Sequence, residues 1–319
     1  MNVLQGLKRR AGTVPWRIAA TLAQTRVIHA ARQRRYDADR ARHRARLPGL
    51  TPIVAEIVHG LEADGVFQTD LATLGLDGSA AMVADASALV ARWADRLRAE
   101  ARAGQEFLKV PPAEIAANPA IYQFGLHPVL LDLAEAYLGL PVAYDGVNLQ
   151  YTVADGRAVS TRKWHRDRED RRMIKLAVYL SDVDADSGPF QLLPADGPVA
   201  DADGRHDRFY LDDREDREID GRILGVHPIT CEGVAGTVVV ADTARFFHRG
   251  KPATGGDRAA LFYSYFARVP QRPYFCYRSG LSRHDIAALT TDLSQRQRDA
   301  AAWRQRLPLP WRLIPPSRV

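Results

Sequence analysis

Apolar residues recur at helical spacing in the first part of the chain and at strand spacing in its middle. From Thr51 to Glu62 the positions Ile53, Val54, Ile57, Val58 and Leu61 line one face of a helix that ends before Gly65. An Ala-rich stretch opening at Ser79 predicts a second helix over 79–101. A third is expected over Pro128–Leu138, bounded by Gly139 and Pro141. At about residue 142 the pattern changes to short apolar runs separated by Gly, Asp and Pro: Val147–Val153, Met173–Leu180, Phe190–Leu193, Ile223–Val226, Thr237–Ala241 and Ala259–Ala267. Short strands in succession, with no helices between them, predict an antiparallel barrel or jelly roll. Beyond Pro270 helical features return, with Ser282 a plausible N-cap and Gln295–Leu307 rich in helix formers.

The chain divides on this pattern into a basic, helical N-terminal arm (1–46) and one further domain (47–319). That domain is helical over 47–141, β over about 142–270 and helical again over 271–319. Charge sharpens the first boundary. Residues 1–46 hold twelve Lys or Arg against Asp37 and Asp39, a surplus of ten, whereas the whole chain carries +6, so the remainder is net acidic. The arm combines Trp16, Ile18, Leu22, Val27 and Ile28 near helical spacing with an Arg run from Arg32 to Arg46. Its open readings are a helix touching an anionic membrane surface or nucleic acid, and a helix solvated or packed on a partner protein.

Composition excludes several classes. Cys231 and Cys276 are far apart, which suggests neither a disulfide framework nor a thiolate zinc site. No apolar run approaches the roughly 18 residues of a membrane span, and charges interrupt every run that follows Lys8, Arg9 and Arg10. The expected location is cytoplasmic.

Candidate chemistry gathers in the β region. Trp164-His165-Arg166-Asp167 contains an H-x-D triplet just before a predicted strand. Such a triplet is weak by itself, since a chain of this His and acid content holds about one by chance. Its context is more specific. Downstream come Ser187-Gly188-Pro189-Phe190-Gln191-Leu192-Leu193-Pro194 and then Gly236-Thr237-Val238-Val239-Val240-Ala241-Asp242-Thr243. His248-Arg249-Gly250 follows five residues after Thr243, and Arg258 opens a further strand ten residues beyond His248.

This ordered set, over about residues 145–266, resembles the phytanoyl-CoA dioxygenase family of Fe(II)/2-oxoglutarate-dependent oxygenases. The resemblance implies a mainly β protein with flanking helices and a double-stranded β-helix (jelly-roll, cupin-like) core. It also implies Fe(II) held by His165, Asp167 and His248, with 2-oxoglutarate and O2 in the remaining positions and Arg258 on the distal C5 carboxylate. If Arg258 points into the barrel, strand alternation sends Ala260, Phe262 and Ser264 inward and Ala259, Leu261, Tyr263 and Tyr265 outward. Asn148, Gln150 and Thr152 share one strand face, and Gln150 is the candidate there for contact with cosubstrate or substrate.

Two departures matter. Pro194 is followed by Ala195-Asp196-Gly197 where many relatives carry P-G-S-H, and Ala260 stands where many carry a serine two residues after the arginine. A hydroxyl partner for the C5 carboxylate must therefore come from elsewhere. Because the acid of the triad is present, as Asp167, hydroxylation or a related oxidation of a small organic substrate is expected rather than halogenation. The alternatives are a degenerate barrel acting as a binding module, and a zinc hydrolase on the same three ligands, for which Arg258 would have no use. Arg162, Lys163, Arg166, Arg168 and Arg171 beside the triplet are compatible with an acidic substrate or with solvated loop charges. Residues 197–226, rich in Asp and Arg, read as a loop or lid.

Overall fold

The computed structural model describes residues 25–194, 209–211, 219, 227–276 and 279–314. The expected strand Ile223–Val226, most of the expected loop 197–226 and the arm up to residue 24 lie outside the described residues.

Nine strands form two antiparallel sheets among the described residues: β1 Val66–Asp70, β2 Leu108–Lys109, β3 Val142–Thr152, β4 Met173–Tyr179, β5 Phe190–Leu192, β6 Ile229–Cys231, β7 Thr237–Asp242, β8 His248–Gly250 and β9 Arg258–Ala267. The larger sheet runs β1-β7-β4-β9-β3-β2 and the smaller β6-β5-β8. This is the expected mainly β jelly roll with flanking helices, and its strand order crosses over as a double-stranded β-helix requires.

Both faces of the larger sheet are covered, so its central strands β4, β7 and β9 are buried along their whole length. Alternation sorts their side chains. Ile174, Leu176, Val178, Val238, Val240, Leu261, Tyr263 and Tyr265 pack outward into one core with the helices Pro52–Ala63, Ser79–Arg102, Pro119–Phe124 and Pro128–Leu138. Ala177, Tyr179, Val239, Ala241, Ala260 and Phe262 point inward and meet Phe190, Leu192 and Cys231 of the smaller sheet. The division of β9 is the one its sequence predicts.

The helices begin and end where the local chemistry allows. Pro128 opens the helix Pro128–Leu138, and Gly139 closes it in the left-handed conformation at φ 69°. Ser282 caps the helix Arg283–Leu289, its hydroxyl accepting from the Asp285 amide while the Asp285 carboxylate accepts from the Ser282 amide. The predicted helix over Gln295–Leu307 breaks into an α-helix Gln295–Ala301 and a 3-10 turn Trp303–Arg306, which seats Trp303 edge-on against Phe266 of β9.

The basic segment forms a helix Arg26–His43 that lies on the body of the protein. Arg32 donates to the Gln271 carbonyl and sits over the Trp311 ring at 5.2 Å. Arg171 donates to Gln33 at 2.7 Å and covers Tyr36 at 4.6 Å, and His43 hydrogen-bonds Glu135 at 2.7 Å. The inner face of this helix is therefore occupied by the chain's own residues, and none of these contacts bears on an anionic membrane surface, nucleic acid or partner protein. Among the described residues no helix is long and apolar enough to cross a membrane.

Candidate metal centre

His165 and His248 face each other on adjoining extended segments and exchange both backbone hydrogen bonds, at 3.0 and 2.9 Å. Their rings lie 4.3 Å apart between centroids. The H-x-D spacing then does what period 2 dictates: Asp167 falls on the same side of its segment as His165. The segment is held in place by the Asp167 amide donating to the Thr243 carbonyl at 2.8 Å. His165, Asp167 and His248 are all buried, and one ligand atom from each lies within 4.8 Å of the others.

Each imidazole is oriented from behind. His165 Nδ1 contacts the Lys163 carbonyl at 2.8 Å and His248 Nδ1 the Phe246 carbonyl at 3.2 Å. A proton on each Nδ1 leaves Nε2 as the lone pair facing the cluster, the arrangement a metal-ligating histidine requires. Burial pushes His248 well below the ordinary imidazole pKa and the adjacent His165 pushes it further, so the ring is neutral and able to donate that lone pair. His248 Nε2 is buried with no hydrogen-bond partner, 3.9 Å from Asp167 Oδ2. An orphaned buried nitrogen beside a second imidazole and a carboxylate fits a divalent cation: two histidines and one carboxylate suit Fe(II) with positions left open.

The loop that brings His248 to the site is organised by Asp242, at the end of β7. Its buried carboxylate accepts from Tyr137 Oη at 2.6 Å and from the amides of Ala244, Arg245 and Met173 at 3.1, 3.2 and 3.3 Å. The sequence motif around it gives this aspartate no evident role; in the structure it turns the chain between β7 and β8.

Arg258 is buried and enters the space between the sheets. Its guanidinium donates to the Gly188 carbonyl and to Thr152 Oγ1 at 3.2 Å, and it lies near the Tyr179 hydroxyl, which itself donates to the Cys231 carbonyl at 2.8 Å. Two motif glycines make room for it. A Cβ at Gly250 would lie 2.8 Å from Arg258 Nη2, and Gly188, at φ 74°, offers its carbonyl to the same group. Burial raises the Tyr179 phenol to about 12, so it stays a neutral hydroxyl. Two hydroxyls from other strands, Thr152 of β3 and Tyr179 of β4, lie beside the Arg258 guanidinium. Register in the sheet places Gln150 opposite Ala260, one inward position along from the Thr152–Arg258 pair. Asn148, Gln150 and Thr152 do share a face, since Val147, Leu149 and Tyr151 pack into the outer core.

The cluster of basic residues next to the triplet is engaged by the protein. Arg162 pairs with Asp155, Arg166 lies over the Phe247 ring at 4.2 Å, and Arg168 lies over both Phe209 and Tyr210 at 5.3 Å. Tyr210 itself stacks 6.1 Å from His165. A further cation, Lys175 of β4, was missed at the sequence level: its Nζ is 2.6 Å from Asp167 Oδ2.

No family model matches the chain, and no curated protein matches it. Solved structures similar to it include the non-heme alpha-ketoglutarate-dependent carbocyclase SnoK from nogalamycin biosynthesis, 16% identical over 70% of this chain and 88% of that one at a TM-score of 0.47. EctD from S. alaskensis with 2-oxoglutarate and 5-hydroxyectoine is 19% identical over 67% and 76% at 0.42. Iron-bound HygX from Streptomyces hygroscopicus is 17% identical over 69% and 88% at 0.42.

Proposed function

We propose that this protein is an Fe(II)/2-oxoglutarate-dependent dioxygenase that oxidises a small organic substrate, with His165, Asp167 and His248 as metal ligands. The observation that carries this reading is the pairing of two sites in one barrel: a buried two-histidine, one-carboxylate cluster, and a buried Arg258 flanked by the hydroxyls of Thr152 and Tyr179. The first suits a divalent iron with open positions, and the second suits a carboxylate, which a planar guanidinium grips through parallel hydrogen bonds. A metal hydrolase on the same ligands has no use for the second. The resemblance in sequence points the same way.

Bound iron would supply the activation of O2 coupled to oxidative decarboxylation of 2-oxoglutarate. The residues of the chain do the positioning. Arg258, Thr152 and Tyr179 fix the C5 end of the cosubstrate, and Gln150, on the same inner face, contacts cosubstrate or substrate. Phe190, Phe262 and Leu192 keep the space between the sheets dry, which strengthens every charge interaction there.

The test is the conversion of 2-oxoglutarate to succinate by the purified full chain with Fe(II) in air, in the absence of an added substrate. Slow formation of succinate is expected, lost in Asp167→Ala and lost when Zn(II) replaces Fe(II). No succinate from well-folded, iron-loaded protein would move the reading to a binding module.

A further inference from the structure

Lys175 is out of place by every structural criterion. It sits in the middle of β4, a strand buried from end to end, and its own side chain is 9% exposed. The outer positions of that strand, Ile174, Leu176 and Val178, belong to the apolar core beneath the helices, whereas Lys175 shares the inner face with Ala177 and Tyr179. Across the sheet its register partners are Ala241 and Ser264, both uncharged. An ammonium taken out of water costs several kcal/mol unless an anion accompanies it. Here the anion is a proposed metal ligand, Asp167, at 2.6 Å.

Lys175 is also distinct from the carboxylate anchor. Its partner Ser264 lies six residues along β9 from Arg258, about 20 Å of extended strand. The two cations therefore stand at different levels of the barrel, one at the cosubstrate's far carboxylate and one at the metal ligands.

Electrostatics then separates two binding events. A divalent cation entering alone meets the ammonium across a few ångströms of buried space and competes with it for the charge of Asp167. A dication that arrives with, or is followed by, a chelating dianion is already neutralised, and the ammonium then adds attraction. We propose that Lys175 is a charge-balancing, positioning residue of the metal centre that weakens its hold on a bare divalent cation, strengthens its hold on 2-oxoglutarate, and so couples the two. This rests on the oxygenase reading and adds to it an order of preference: the centre keeps its metal best when the cosubstrate is present. By linkage the same factor acts in both directions.

The experiment uses the full chain and Co(II) as the metal probe. The affinity for Co(II) alone, and that of the Co(II)-loaded protein for 2-oxoglutarate, are measured by titration calorimetry in wild type, Lys175→Met and Lys175→Arg. Lys175→Met is expected to bind Co(II) alone about tenfold tighter and 2-oxoglutarate about tenfold more weakly, while Lys175→Arg, which keeps the charge, stays near wild type in both. Movement in opposite directions is the signature, because a merely structural lysine would weaken both affinities together. Should Lys175→Met fail to fold, Lys175→Gln makes the same comparison with a neutral hydrogen-bonding side chain. Two affinities unchanged, both weakened, or neither neutral variant folding would overturn the proposal. A wild type that binds Co(II) but not 2-oxoglutarate, or neither, would overturn the oxygenase reading itself, a result distinguishable from a failure at Lys175.

Discussion

The two faces of the central strands β4, β7 and β9 are equally buried and do different work. On the outer face Leu261, Tyr263 and Val178 meet helices, and the hydroxyls of β9 are bonded to backbone: Tyr263 to the Ile121 carbonyl at 3.1 Å and Tyr265 to the Gly125 carbonyl at 2.7 Å. On the inner face the same strands present Lys175, Arg258, Asn148, Thr152 and Ser264, all less than one-tenth exposed. Burial alone does not tell a structural position from a functional one. The distinction lies in what a buried group is paired with. The β9 hydroxyls on the outer face are satisfied within the scaffold, while the inner space holds a buried nitrogen, His248 Nε2, with no hydrogen-bond partner.

Substitutions on the two faces of one strand make that contrast measurable. Leu261, fully buried on the outer face, is expected to matter for stability: Leu261→Ala should lower the unfolding free energy by about 3 kcal/mol in denaturant melts, with 2-oxoglutarate affinity of the folded protein unchanged. Arg258, three residues earlier and facing inward, should behave in the opposite way. In Arg258→Ala the loss of its bonds to Gly188 and Thr152 is offset by the removal of a buried charge, so the melt should shift less than in Leu261→Ala, whereas 2-oxoglutarate affinity should fall roughly 100-fold with the loss of the charge-assisted hydrogen bonds. Equal effects of both variants on stability and binding would erase the distinction between the faces.

Much of this arrangement was legible in the residues. A strand's period of two divides β9 into Arg258, Ala260, Phe262, Ser264 and Ala259, Leu261, Tyr263, Tyr265, and the role that the resemblance implies for Arg258 makes the first set the inner one, as the packing shows. The helix Pro128–Leu138 declares both its ends through Pro and Gly. The triplet His165-Arg166-Asp167 and the distant His248 come together as expected.

What was not legible has physical causes. The sequence predicts no element for β1, since Val66-Phe67-Gln68-Thr69-Asp70 alternates only weakly and becomes a strand by pairing at the sheet edge with β7. β8 is three residues long and carries no apolar pattern of its own; it forms because His248 and Gly250 pair with Leu192 and Phe190. Tyr179 and Thr152 reach Arg258 from strands distant in sequence, which no local spacing encodes. Lys175 was passed over inside an apolar run, although a lone charge at an inward position of a doubly covered strand is the signal that could have found it.

The central claim, that His165, Asp167 and His248 hold an iron to which 2-oxoglutarate binds, has a direct optical test. Anaerobic addition of Fe(II) and 2-oxoglutarate to the metal-free protein should produce the weak visible charge-transfer band of an iron-chelated keto acid in the wild type and none in His248→Ala. A band that persists in His248→Ala, or none in folded, iron-loaded wild type, would contradict the assignment.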